Sequence, residues 1–250
     1  MRHEPVQPAA APPLTEADPA GPQVPHASKP VGVRWLNERF RHLSPQQRIR
    51  MFFSSGVLTT PRVLVTSSFG TTAALLLHML TEAGVRYPVY FLNTSFHFLE
   101  TLDYRDALTA RLGLDVRELR AAPPDRRATL ETGRWAYDPE GCCAVNKVAP
   151  LARVKSRADI WVSGLMNWQS PTRADLEVFE LKDGLLKFYP LVDLPRDVAE
   201  DYYAAHGLPR HPLEEHGYAS VGCTHCTLPG DGREGRWAGK SKTECGLHGR

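Results

Sequence analysis

The sequence has no apolar run approaching the roughly 20 residues that a membrane-spanning helix needs, which excludes that class. A basic start followed by an apolar stretch is also lacking, so no secretory signal is expected and a cytoplasmic protein is. Charge of one sign is not in excess: 30 Lys and Arg face 28 Asp and Glu, for a net +2. That balance announces no nucleic-acid partner, yet it allows a local basic pocket for a small anion. The small polar turn at Ser67–Thr72 lacks the glycine-rich phosphate signatures, being neither a Walker A loop nor a G-x-G-x-x-G. No internal repeat is present. Cysteine is scarce and odd in number, at five, and without a secretory signal disulfides are not the default use for it. Residues 1–30 are rich in Pro and Ala and hold little to bury, so they are expected to form a disordered leader.

What is present is an alternation of strand and helix. Hydrophobic residues make up 42% of the chain, enough for a core, and 250 residues fit one domain with tails or at most two small domains. Apolar positions from Arg34 to Phe53 predict one or two helices broken near Pro45. Arg62–Thr66 reads as a strand, Ser67–Thr72 as a small polar turn and Ala73–Leu80 as a helix, the opening of an α/β unit. The unit repeats with a strand at Pro88–Leu92, a turn at Asn93–His97 and a helix at Leu99–Leu112. Further strands are expected at Asp115–Leu119, Asp159–Gly164 and Lys187–Pro190, and helices at Lys147–Ser156 and Arg196–His206. Arg120–Gly141 reads as a charged, irregular excursion. The fold class that follows is α/β, a doubly wound, mainly parallel sheet that places ligands at the C-terminal ends of its strands. The α/β domain is expected over 31–226. A mobile, Gly-, Lys- and Arg-rich tail over 227–250 follows it.

The cysteines fall into a pattern. Cys142 and Cys143 are adjacent, Cys223 and Cys226 form C-x-x-C, and Cys245 stands apart. The first four suit zinc or an iron–sulfur cluster, whereas a tandem Cys pair alone would read as core. Cys245 lies near Lys240, Lys242, His248 and Arg250, cations that favour a thiolate nucleophile; the bland alternative is an incidental thiol. The turn with Ser67, Ser68, Gly70 and Thr71 precedes a helix N-terminus and suits an anion, against ordinary capping. Gly164–Arg173 follows a strand and carries Gln169, Ser170 and Arg173, which suit phosphate or sulfate, against a solvated loop. Lys147 reads as a surface lysine or as a cation between the thiols and that anion.

Five separated motifs, in order, resemble one family. They are CC-x-x-x-K-V-x-P-L at Cys142–Leu151, GL-x-x-x-QSPTR at Gly164–Arg173, GY-x-S-x-GC-x-x-CT at Gly217–Thr227, GRW at Gly235–Trp237 and ECGLH at Glu244–His248. Together they resemble the assimilatory adenylyl-sulfate and phosphoadenylyl-sulfate reductases from about Arg62 to Arg250. The resemblance implies an adenine-nucleotide α-hydrolase-like fold. It implies a [4Fe–4S] cluster on Cys142, Cys143, Cys223 and Cys226, and a catalytic thiol at Cys245. Ser67, Ser68, Gly70 and Thr71 would take the phosphate, with Gly164, Gln169, Ser170 and His248 also at the substrate. Lys147, Arg173 and Arg236 would surround the phosphosulfate. Cys245 would attack the sulfate sulfur with AMP leaving, and thioredoxin or a glutaredoxin-like dithiol would then release sulfite. The cluster ligands favour adenylyl sulfate over its 3′-phosphorylated form as substrate, and a homo-oligomer is compatible. The other readings are a phosphoadenylyl-sulfate reductase, a non-catalytic nucleotide-binding domain with structural zinc, and an ATP-pyrophosphatase or sulfur-transfer enzyme of the same fold class. The chain departs from the family at Met166, Asn167 and Trp168, where paired arginines are frequent. It departs also at Asn93, where Asp is common, and in its SSFGTT phosphate loop.

Overall fold

Short runs of β-branched and aromatic residues, buried on both faces, can only be central strands of a covered sheet. In the computed structural model, which describes residues 32–54 and 61–248, they are. Helices α1 (Val33–Phe40) and α2 (Pro45–Ser54) come first, separated at Pro45 as the sequence predicts. The repeating units then follow as β1 (Val63–Thr66), α3 (Ala73–Glu82), β2 (Val89–Leu92), α4 (Leu99–Leu112) and β3 (Val116–Leu119). The segment expected to be irregular is instead three short helices, α5 (Pro123–Thr132), α6 (Arg134–Tyr137) and α7 (Pro139–Cys143). They escape a periodicity reading because they bury so little: Thr129 in α5, nothing in α6, and the two cysteines in α7. A π-turn (Ala144–Val148) joins α7 to α8 (Ala149–Lys155), after which come β4 (Ile160–Val162), β5 (Phe179–Lys182), β6 (Leu185–Phe188) and α9 (Arg196–Ala205).

The six strands form one sheet in the order β3-β2-β1-β4-β6-β5. All neighbours are parallel except β5, which pairs antiparallel with β6. The order reverses between β1 and β4, so the crevice lies above those two strands. One face packs the larger core, where Phe40, Phe52, Phe179 and Phe188 meet with centroid separations of 4.6–6.2 Å. The other face packs Leu64, Tyr90, Trp161 and Leu185 against Leu151 and Val154 of α8. Arg48 is buried between α1, α2 and the chain after β6, donating to the Phe40, Arg41 and Pro190 carbonyls and to Asp193.

Residues 227–248 lie folded against the rest. The segment has a core former after all in Trp237, which is 2% exposed and faced by the cations of Arg236 and Lys242 at 4.6 and 5.5 Å. The leader at 1–30 and Arg250 lie outside the described residues.

Candidate active site

The C-terminal ends of β1, β2 and β4 open into a cleft of about 350 Å³. Thr66, Leu92 and Ser163 mark those ends, and the folded tail forms the opposite wall with Arg236, Trp237, Cys245 and His248. The turn expected to meet an anion lies along it. Ser67, Ser68, Gly70 and Thr71 line the cleft. Ser67 Oγ accepts from the Phe69 N–H at 3.1 Å, closing a small turn. Phe69 takes a left-handed φ of 49°, unusual without glycine, and its buried ring packs edge-on against Phe91 at 5.6 Å. Thr72, at the start of α3, makes no side-chain cap, so simple capping does not account for this turn. Thr71 Oγ1 donates to Ala219 O at 3.1 Å and Tyr203 OH donates to Thr71 O at 2.8 Å, fixing the turn to α9 and to the chain before Cys223.

Beside the cleft lies a second, small cavity. Cys142, Cys143, Cys223 and Cys226 line it together, walled by Phe96 and Trp135. The tandem pair ends α7, just before the π-turn; the C-x-x-C pair comes from a turn before the tail. Burial pushes the Cys143 thiol up to about 11, against the pull of Lys147 and Lys242. Burial also raises Cys142 and Cys226, and the charge of neighbouring thiols adds to it. Thiols so placed resist ionising unless a cation compensates them. Four sulfur donors around one space suit zinc or an iron–sulfur cluster. Among the described residues no three His, Cys, Asp or Glu side chains close on a single ion.

Lys147 connects the two spaces: it lines the cleft and the four-cysteine cavity alike. Burial alone would lower its ammonium, but the thiol groups of Cys223, Cys245 and Cys143 outweigh burial and raise it above the ordinary lysine range. The π-turn that carries Lys147 also carries Asn146, which donates to the Cys142 carbonyl at 3.0 Å. Such a turn adds one residue to a helix and redirects its side chains, and it recurs at functional sites.

The other expected residues divide. Gly164 and Gln169 line the cleft, with Gln169 donating to Thr72 Oγ1 at 3.1 Å. Arg236 lines it too, lying against the backbone of Gly222, where a Cβ would sit 2.2 Å from its guanidinium. His248 stacks on Trp161 with centroids 4.4 Å apart. Ser170 does not line the cleft; its hydroxyl is turned to Thr172 at 2.8 Å. Arg173 lines it but is bonded to Glu244 through two N–H groups, each at 2.9 Å.

Three further residues stand at the cleft; Trp237 closes the GRW motif, whereas Ser163 and His97 had no sequence signal of their own. Among the described residues, Ser163 Oγ, His97 Nδ1 and Trp237 Nε1 are buried without a partner, and all three residues line the cleft. A buried orphan costs about 1–3 kcal/mol, so such a cluster marks a surface built to meet a polar ligand. His97 donates to Leu92 O at 2.9 Å, and burial holds its imidazole down to about 4, hence neutral at pH 7.

Comparison with known proteins identifies the family of the chain. The family model described as "Phosphoadenosine phosphosulfate reductase domain" matches residues 62–229. An adenosine 5'-phosphosulfate reductase of Mesorhizobium japonicum is 40% identical over 230 residues, covering 89% of this chain and 88% of the relative. A phosphoadenosine 5'-phosphosulfate reductase of Gloeobacter violaceus is 36% identical over 198 residues, covering 75% and 82%. The crystal structure of phosphoadenylyl-sulfate reductase from Candida auris, in its phosphate complex, shares the fold. It superposes with a TM-score of 0.68 at 21% identity, covering 81% of this chain and 98% of that one. On the matched length and the identity to these relatives, this chain belongs to the phosphoadenosine phosphosulfate reductase domain family.

Proposed function

We propose that the protein reduces adenylyl sulfate to sulfite and AMP in assimilatory sulfate reduction, with Cys245 as nucleophile. The observation that carries this reading is Lys147, a half-buried cation shared by the four-cysteine cavity and the cleft that Cys245 lines. The Cys245 thiolate attacks the sulfate sulfur, the S–O bond to the phosphate breaks, and AMP leaves. The enzyme then carries an S-sulfonated Cys245. One thiolate of a thioredoxin-type dithiol attacks Cys245 Sγ and expels sulfite. Its second thiol then resolves the mixed disulfide and returns Cys245 as a thiolate. Both electrons come from the dithiol, which ends as a disulfide.

Lys147 and Arg236 offset charge on the leaving phosphate, and the turn at Ser67–Thr71 holds that phosphate through backbone N–H groups. Leu76, Leu165 and Trp168 give the cleft an apolar part suited to the adenine ring. Cys142, Cys143, Cys223 and Cys226 would hold a [4Fe–4S] cluster, and their all-thiol donor set fits one. When bound, it supplies an inorganic centre of fixed charge next to Lys147. The tail closes Cys245 onto the nucleotide held by the domain assigned to 31–226, and opens it to the dithiol. The setting is the cytoplasm, where thioredoxin is available.

The test is a kinetic comparison of adenylyl sulfate with its 3′-phosphorylated form, using thioredoxin as donor. It is paired with the mass of the protein after incubation with nucleotide alone. The expected results are preference for adenylyl sulfate and one sulfonate on Cys245. Turnover restricted to the 3′-phosphorylated form would transfer the reading to that substrate. A colourless protein holding one zinc and forming no adduct would replace it with a binding domain.

A further inference from the structure

We propose that Arg173 is a positioning residue for Cys245 rather than a ligand of the substrate anion, and that Glu244, Arg173 and Arg233 form a clasp setting the thiol over the cleft. This rests on reading Cys245 as the nucleophile.

The Arg173 guanidinium is already engaged. Its Nε and Nη2 groups donate to the two oxygens of Glu244, each at 2.9 Å, and its Nη1 donates to Gln169 Oε1 at 2.6 Å. This is the bidentate edge that a phosphate or sulfate would use. Both side chains of the pair are 9% exposed. An anion that took Arg173 would therefore strip a buried carboxylate of its main partner, a substantial penalty. Lys147 and Arg236 carry no such obligation: among the described residues neither forms an ion pair with a carboxylate.

Glu244 is held from every side. Thr172 Oγ1 donates to it at 3.2 Å and Arg233 Nη2 at 3.2 Å, and the same Arg233 group donates to Thr243 O at 3.0 Å. Burial alone would raise the Glu244 carboxyl, but its bonds to Arg173 and the charges of Arg173 and Arg233 outweigh burial and lower it. The clasp also reaches the phosphate turn, because Gln169 joins Arg173 to Thr72 Oγ1. On the other side of Cys245, Gly246 turns the chain with a φ of +79°. His248 then stacks on Trp161, and its carbonyl accepts from Lys187 Nζ at 3.2 Å. Cys245 is thus suspended between two anchors, and the Glu244 anchor abuts it directly.

The experiment compares Glu244→Gln, Arg173→Met and the charge exchange Arg173→Glu/Glu244→Arg in the full chain. Two readouts are taken: iodoacetamide alkylation of Cys245 without nucleotide, followed by mass of the tail peptide, and single-turnover sulfonation alongside KM. Each single variant is expected to speed alkylation about tenfold, the order set by coupling within one buried network. Each should also slow sulfonation while KM stays within about threefold, since uniform binding is untouched. The exchange should bring alkylation back toward the unaltered rate. The proposal is overturned if Arg173→Met raises KM tenfold or more with alkylation unchanged, or if the exchange is no closer to the unaltered protein than the singles. The alkylation arm needs no sulfonucleotide. Loss of the functional reading, seen as no turnover by the unaltered protein, is therefore separable from loss of the clasp.

Discussion

At the scale of single residues, the cleft sets charged groups among one another, partly withdrawn from water. Lys147 is the clearest case, since its cation is held by thiol groups from three parts of the chain. Lys147→Met should lower the rate of Cys245 sulfonation about 100-fold, the usual cost of one preorganised charge, while Lys147→Arg should recover part of it. Single-turnover kinetics with mass detection measures both. His211 shows the same physics in a structural role. It is fully buried, its ring meets Thr101 Oγ1 at 3.1 Å, and it caps the Leu213 N–H at 3.2 Å. Burial lowers its imidazole to about 4 from the ordinary 6.5. The unfolded chain therefore binds the extra proton between those values, so folding stability falls as pH drops from about 6.5 towards 4. By pH 5 the loss from this group is about 2 kcal/mol, and His211→Gln should remove that part of the pH dependence in urea denaturation at pH 7 and pH 5.

At the scale of elements, the hairpin β5–β6 closes the sheet edge next to the clasp turn. Asp183 and Gly184 both have positive φ, 53° and 76°, which is the type I′ turn that matches strand twist. Gly184→Ala should destabilise the protein by about 1 kcal/mol, read as a lowered urea midpoint with an unchanged slope. That Asp-Gly pair was a legible hairpin signal, yet only β6 is expected from apolar content, because β5 alternates charged with apolar residues. The parallel strands and α3, α4 and α9 were legible because each carries a strong local pattern. Helices α5 to α7 were not, because α5 is charged and buries only Thr129, and α6 and α7 are too short to show a period. The site divides in the same way. Its cysteines and the phosphate turn announce themselves by spacing. The partner of Arg173 lies 71 residues away, and Ser163 is one serine among many until the fold leaves it buried and unpartnered at the end of β4. Local sequence carries residue type and element, whereas pairing across the fold is written only in three dimensions.

For the whole molecule, the two cavities and the tail are one mechanical unit. The four-cysteine cavity joins residues 142–143 to 223–226, and the tail starts from the second of these segments. Trp237 N–H donates to the Cys226 carbonyl at 2.9 Å, and Thr227 pairs with Arg236, so the root of the tail is built onto the C-x-x-C turn. Whatever binds the four thiols closes a loop of about 80 residues and fixes that root, and binding of this kind adds directly to folding free energy. Without it, the thiols have only side-chain cations to offset their charge, Lys147, Lys242, Arg236 and Lys240, and the turn at Cys223–Cys226 is free to shift. Cys226→Ser should therefore do more than remove one ligand. It should lower the melting temperature, and it should also admit protease at the tail between Arg233 and Lys242, although no residue there is altered. A Cys245→Ser protein, which keeps the root intact, should show neither change. Limited trypsin digestion of the two variants, with the fragments identified by mass, separates a cavity that only stores a cofactor from one that also holds the tail in place. Equal protection of the tail in both would show that the root stands by its own hydrogen bonds.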